Sequence, residues 1–170
     1  SLAIGSVFIP PNELWNILRG AGEETFTFIV WNIRLPRTVL IALVGAALAG
    51  SGAAYQGLFR NPLADPYLIG VASGAGLGAV IAMSIHWPYS FWGLMAVPLA
   101  AFLAALLTVF IVYSLARVGQ TVPTTNLILA GVAFSSFATS LTSFLMLRST
   151  GEVRRALGWL LGGISLAGWD

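Results

Sequence analysis

From Thr38 to Leu147 the chain carries only three charged side chains, Arg60, Asp65 and Arg117. The remainder of that stretch is apolar, small or uncharged. Three clusters of polar residues and proline break it, at Arg60 to Pro66, His86 to Tyr89 and Arg117 to Pro123. Proline lacks an N–H and restricts the residue before it, so each cluster ends one helix or starts the next. A membrane-crossing helix needs roughly 20 mostly apolar residues. The pattern therefore predicts four spans, at about 37–58, 68–85, 91–115 and 124–147. The second is the shortest and is rich in glycine.

The flanks have a different texture. Residues 1–33 are mixed and are expected to lie at the membrane surface. Within them Pro11 to Arg19 reads as a short amphipathic helix, with Leu14, Trp15, Ile17 and Leu18 on its apolar side and Gly20 as its stop. Glu23 and Glu24 read as a solvated turn. Residues 148–170 begin with charges and then turn apolar with two tryptophans, which fits a surface helix or the start of a further span. Ser1 to Pro10 lacks the charged segment, apolar core and cleavage site of a signal peptide. The first residue is not Met, so the sequence is expected to be a piece of a longer protein.

Small residues recur at four-residue spacing, Gly45, Ala49, Ala53 and Gly57 on the first span and Gly70, Gly74 and Gly78 on the second. That spacing lets helix backbones approach closely in lipid, and no ligand is needed to explain it. The fourth span carries six hydroxyls, Ser135, Ser136, Thr139, Ser140, Thr142 and Ser143. Those at 136, 140 and 143 share one face, and the other three lie beside it. Two readings stand: the hydroxyls bond back to carbonyls four residues earlier, or they wall a polar path.

Composition narrows the class. Hydrophobic residues are 58% of 170 and charged residues 8%, where a soluble domain carries about 25% charged. The chain cannot coat itself for water, and a bilayer is its natural solvent. The net charge of +2 is too small and too dispersed for nucleic-acid binding. With no Cys and one His, disulfides, thiolate metal sites and multi-His sites within the chain are excluded. No metal site and no cofactor is expected.

Catalytic chemistry finds little support. Val71-Ala72-Ser73-Gly74 approaches the Gly-x-Ser-Gly nucleophile motif of rhomboid proteases, but Val71 replaces its first glycine. The one available base, His86, would lie about 20 Å along a helix from Ser73, where a Ser–His dyad needs about 3 Å. Gln56 lies near the end of the first span, where a polar amide calls for a partner inside the bundle. Arg34 and Arg37 stand three apart around Leu35-Pro36. They suit interfacial anchoring by snorkelling, and equally the presentation of forked donors to a partner's carboxylates.

Several motifs together carry a family resemblance. They are Arg34-Leu35-Pro36-Arg37, Gly45 to Ala49, Gln56-Gly57-Leu58-Phe59-Arg60-Asn61-Pro62-Leu63-Ala64-Asp65-Pro66, and Gly70 to Ala75. Leu129 to Ala133 and Trp159 to Gly163 add weaker pieces. The chain resembles the FecCD-type permeases, membrane subunits of ABC importers for iron–siderophore complexes, haem and vitamin B12. The resemblance implies an all-α, polytopic type II ABC importer transmembrane domain in a bacterial or archaeal cytoplasmic (inner) membrane. Its expected partners are a second copy of the permease, two ATP-binding subunits and an extracytoplasmic substrate-binding protein. By the family's pattern the chain covers the second to fifth spans and a following helix.

Residue roles follow from the same resemblance. Arg34 and Arg37 would face glutamates of the binding protein. Asn61 and Leu63 would belong to the cytoplasmic gate, and Thr124 and Thr125 to its second constriction. Ser136, Thr139, Ser140 and Ser143 would line the pathway. Residues 1–33 and 148–170 would be extracytoplasmic, flanking the spans within 34–147. Arginine counts point the other way. Four spans put Arg19, Arg34, Arg37, Arg148, Arg154 and Arg155 on one side and Arg60 and Arg117 on the other, and the positive-inside rule would make the first side cytoplasmic. The family orientation is the one expected here. The functional expectation is a non-enzymatic importer permease. The alternatives are a structural membrane subunit and an intramembrane serine protease.

Overall fold

The computed structural model describes residues 2–62, 64–85, 91–148 and 153–163, with backbone alone at 91–94 and 153–155. The described chain is helical apart from turns and one isolated antiparallel bridge between Val118 and Thr121. It divides into two compact units, one within Ser1–Gly50 and the other Ser51–Gly162.

In the first unit α1 runs Pro11–Leu18, with proline at its first position, where a missing N–H costs nothing. It ends where expected: Gly20 takes φ +75, and the amides of Gly20 and Ala21 return to the carbonyls of Ile17 and Asn16. Its apolar side is narrower than the sequence suggested. Ile17 is buried with Ile9 and Val30, and Leu14 packs against them, but Trp15 and Leu18 stay exposed. Trp15 instead receives the Arg19 guanidinium over its ring, 4.8 Å from the centroid. Glu24 does not sit in a solvated turn; it opens a short helix, α2, Glu24–Phe28.

The helix of the first expected span, about 37–58, begins well before Arg37. A π-helical segment, Ile29–Arg34, leads without a break into α3, Leu35–Phe59. Leu35 holds right-handed helical angles, φ −64 and ψ −49, although proline follows it. Pro36 has no N–H to return and its ring crowds the preceding turn. The wider π turn in front of it makes room, and the helix passes through. Glu24–Phe59 is thus one continuous apolar helical stretch of 36 residues. Every residue from Val39 to Gly50 is exposed, and an added Cβ at Gly45 or Gly57 would meet open space.

The second unit holds a 3-10 turn, Pro66–Ile69, then α4 Val71–Met83, α5 Phe91–Ala116, α6 Thr124–Arg148 and α7 Val153–Leu160. Met95–Ala116 and Thr124–Arg148 are long and apolar enough to cross a membrane. The second expected span, 68–85, has only 13 residues of α-helix, because Gly70 turns left-handed at φ +81 and separates the 3-10 turn from α4. Gly70 therefore does not continue the glycine repeat along the helix. Gly74 and Gly78 do what the repeat implied. A Cβ on Gly74 would press into Thr108, and one on Gly78 would lie 2.6 Å from the carbonyl oxygen of Ala100. These two notches seat α4 against α5. A third close approach places the 3-10 turn on α6, where a Cβ on Gly131 would lie 2.8 Å from the Ile69 Cα.

Candidate functional site

The Arg60 to Pro66 loop owes its shape to the way α3 ends. The Arg60 amide returns to Gly57 O and the Asn61 amide to Gln56 O, the paired bonds of a Schellman stop. The residue at the left-handed position is Arg60, at φ +47, where glycine is usual. Ala64 N then bonds Asn61 O at 3.1 Å. Asp65 caps the 3-10 turn by accepting the Tyr67 amide at 2.8 Å, so this carboxylate has a local structural task. Gln56 does not point into a bundle interior; its side chain is exposed.

The second polar connection is a tight turn. Val118 and Thr121 exchange backbone bonds of 2.9 and 3.1 Å around Gly119 at φ +62. Arg117 Nε donates to Gly119 O at 2.9 Å. Pro123 O receives the Leu127 amide, which places Thr124 and Thr125 in the exposed first turn of α6. One apolar cluster joins the two connections. Ile69, Val112, Ala116 and Leu127 are buried together, with Tyr55, Phe59 and Val122 packed on them. The last turn of α3, the 3-10 turn, the end of α5 and the start of α6 therefore meet at one end of this unit. Asn61, Thr124 and Thr125 are exposed at that end. Leu63 lies outside the described residues.

On α6 the hydroxyls bond back to carbonyls four residues earlier, and several of them stay exposed. Ser136 bonds Val132 O, Ser140 bonds Ser136 O and Ser143 bonds Thr139 O, each at 2.8 to 3.0 Å. Thr142 is buried and bonds Ala138 O at 2.8 Å. The donors are satisfied within the helix, while Ser136, Thr139, Ser140 and Ser143 remain exposed and keep acceptor capacity for a passing solute. Thr139 and Ser143 also border a cavity of about 550 Å³ between α4, α6 and α7, with Ala72, Ser73 and Leu157 among its walls. Ser73 therefore faces a mainly apolar space, and His86 lies outside the described residues. Among the described residues no three His, Asp or Glu side chains gather into a metal site.

The Arg34 end belongs to the first unit. One Nη of Arg34 donates to Leu2 O at 2.5 Å and the other to Val7 O. The Arg34 carbonyl accepts Thr38 Oγ1 at 2.8 Å. Arg34, Arg37 and Thr38 border a second cavity of about 420 Å³, closed on its far side by Ile4, Gly5 and Ser6. The guanidinium partners of Arg34 are carbonyls some thirty positions earlier in the chain, which no sequence pattern announces.

Long apolar helices joined at polar turns, with small residues at their crossings, define an all-α, multi-pass membrane protein. The chain belongs to the FecCD transport family, which matches residues 1–170. It is 46% identical to the cobalamin import system permease protein BtuC of Halobacterium salinarum over 86% of this chain and 38% of that one. It is 39% identical to the vitamin B12 import system permease protein BtuC of Klebsiella pneumoniae over 100% of this chain and 48% of that one. A solved structure of a metal-chelate type ABC transporter in an inward-facing conformation superposes with a TM-score of 0.79 at 27% identity, over 99% of this chain and 50% of that one. The chain thus spans about half the length of the relatives it matches. With its apolar helices it is a multi-pass inner-membrane protein of the type II ABC permease fold.

Proposed function

We propose that this chain is part of the membrane permease of a binding-protein-dependent ABC importer that moves a metal chelate. The observation that carries the reading is the family match along the entire chain, shared with relatives named for cobalamin and vitamin B12 import. A corrinoid is accordingly the first substrate to test, with ferric siderophore and haem as the competing chelates. The permease performs no bond chemistry. ATP hydrolysis in two partner subunits drives the alternation, and the solute passes between two copies of the permease.

Physical features support the division of labour. Asn61 with Leu63, and Thr124 with Thr125, form the cytoplasmic gate: their two connections rest on one apolar cluster, so they move together if that cluster moves. Threonines there are small and uncharged and cannot hold a bulky chelate tightly, as release demands. The exposed hydroxyls at 136, 139, 140 and 143 line the path. In this orientation the Arg34 end faces the binding protein, against the arginine count. Glu13, Glu23, Glu24 and Glu152 offset the arginines on that side, although acids weigh little in the rule.

The test is uptake into proteoliposomes holding the full-length permease with its ATPase and binding protein. ATP-dependent accumulation of cyanocobalamin, and not of a ferric siderophore or haem, is the expected result. Accumulation of either competitor in its place refutes the corrinoid assignment. No stimulation of ATPase by any loaded binding protein refutes the importer reading as a whole.

A further inference from the structure

We infer that the cavity between α4, α6 and α7 seats an uncharged, hydrogen-bond-accepting group of the passing solute, with Ser73 and Thr139 as its donors. The identity of the solute rests on the importer reading. On α6, Ser136, Ser140, Thr142 and Ser143 each return a hydrogen bond to their own helix. Thr139 does not, and neither does Ser73 on α4: their hydroxyls bond no acceptor among the described residues. Both border the same cavity of about 550 Å³, one on each of two walls. The third wall is α7, which supplies Leu157 and Leu160. Gly76 admits it closely, since a Cβ there would lie 2.9 Å from Leu160 Cδ2.

Depth and lining set the class of guest. Thr139 lies about 14 Å along α6 from Arg148 at its end, in a hydrocarbon layer about 30 Å thick. It therefore stands near mid-depth, where the ester groups of a phospholipid do not reach. A hydroxyl without a partner costs much more there than in water. A guest that displaces water from two such donors does so without loss only by bringing an acceptor of its own. No charged side chain borders the cavity among the described residues, so a carboxylate would enter unpaired and at high cost. Met146, Leu157 and Leu160 make the rest of the lining apolar, which suits the rim of a macrocycle. A corrinoid carries carboxamides around such a rim, uncharged and with carbonyl oxygens that accept. Haem presents carboxylates instead, and the cavity favours the first over the second. Thr139 and Ser143 belong both to this cavity and to the exposed hydroxyl face of the proposed path, so a solute on that path comes within reach of it.

Uptake into proteoliposomes holding the full-length permease, its ATPase and its binding protein is the test, with cyanocobalamin as the probe. Thr139→Val keeps the shape and removes the hydroxyl. It is expected to slow uptake by about three- to tenfold, because the solute then crosses mid-depth with one donor fewer. Ser73→Ala is expected to slow it by a similar factor. Thr139→Ser keeps a hydroxyl and is expected to keep the original rate, which a purely packing role for Thr139 would not predict. Ala72→Phe fills the cavity from an exposed position and is expected to reduce uptake most. Stimulation of the ATPase by loaded binding protein is expected to persist in all four variants, as folded and assembled complexes require. Unchanged uptake in both Thr139→Val and Ser73→Ala overturns the donor roles. Thr139→Ser as slow as Thr139→Val makes the residue a packing element and overturns them too. Full uptake by Ala72→Phe overturns the seat and leaves the cavity to a lipid chain or to another part of the protein. Each of these failures, with uptake by the unaltered protein intact, strikes the cavity alone. If the unaltered protein accumulates no cyanocobalamin, the corrinoid reading fails and the carboxamide assignment with it.

Discussion

Alanine at Gly78 and at Gly74 tests how α4 is held against α5, and the two sites are expected to answer differently. At Gly78 the new methyl would stand 2.6 Å from the Ala100 carbonyl oxygen and 3.1 Å from its carbon, and would also press on the Ala104 methyl. Carbon contacts are comfortable at about 3.5–4.0 Å, so the helices must part by about 1 Å. Such overpacking costs about 1–3 kcal/mol. Alanine returns about 1 kcal/mol of helix propensity, which leaves a net loss of up to about 2 kcal/mol. Adding Ala104→Gly does not repair the site, because the Ala100 backbone remains. At Gly74 the obstacle is mainly a side chain. The Thr108 hydroxyl and its Cβ, at 2.8 Å, stand in the way, while the backbone oxygen of Ala104 at 3.3 Å is close but tolerable. Thr108→Ala removes the hydroxyl and should recover about half of the loss, a coupling of about 0.5–1.5 kcal/mol. Thermal unfolding of the full-length protein in detergent, read for both single variants and both doubles, measures this. Full rescue of Gly78→Ala by Ala104→Gly, or no coupling between Gly74→Ala and Thr108→Ala, would refute the notch geometry.

Two further outcomes are expected. Arg60→Gly relieves a left-handed residue that costs about 1–2 kcal/mol, less the extra chain entropy of glycine, so the unfolding midpoint should rise; a lower midpoint would show that the Arg60 side chain does more than tolerate its backbone. Ser136→Ala, Ser140→Ala and Ser143→Ala together should leave stability within about 0.5 kcal/mol per site, because each hydroxyl bonds only its own helix. A fall in uptake by that triple variant supports the pathway lining, and unchanged uptake removes it.

Much of the architecture was legible because it depends on local chemistry. Gly20 stops α1 in a left-handed conformation, Pro123 precedes α6, and the glycines of α4 meet α5 as their spacing implied. Errors arose where a residue could serve two purposes. The first span was expected to begin near Arg37, but a π turn ahead of Pro36 lets one helix run from Glu24 to Phe59. Gly70 matched the four-residue repeat, yet its positive φ makes it a joint between the 3-10 turn and α4 rather than a packing notch within the helix. Of the two readings of the serines on α6 the structure shows the back-bonding, and it leaves Ser136, Ser140 and Ser143 exposed. The partners of Arg34 were beyond reach of any pattern, because they are backbone carbonyls of Leu2 and Val7 whose approach depends on how that segment folds.

The shortness of α4 bears on how the protein enters its membrane. Thirteen residues of helix rise about 20 Å, while the hydrocarbon layer is about 30 Å thick. Such a segment is a poor candidate for independent insertion, and the backbone groups at its ends would meet hydrocarbon unshielded. Its glycines give up side-chain area that would otherwise drive it into lipid, and let its backbone approach α5 closely instead. Insertion of α4 is therefore expected to depend on α5, the two partitioning together as a packed pair. A substitution that blunts the notches would then lower the yield of integrated protein before it has any chance to alter transport.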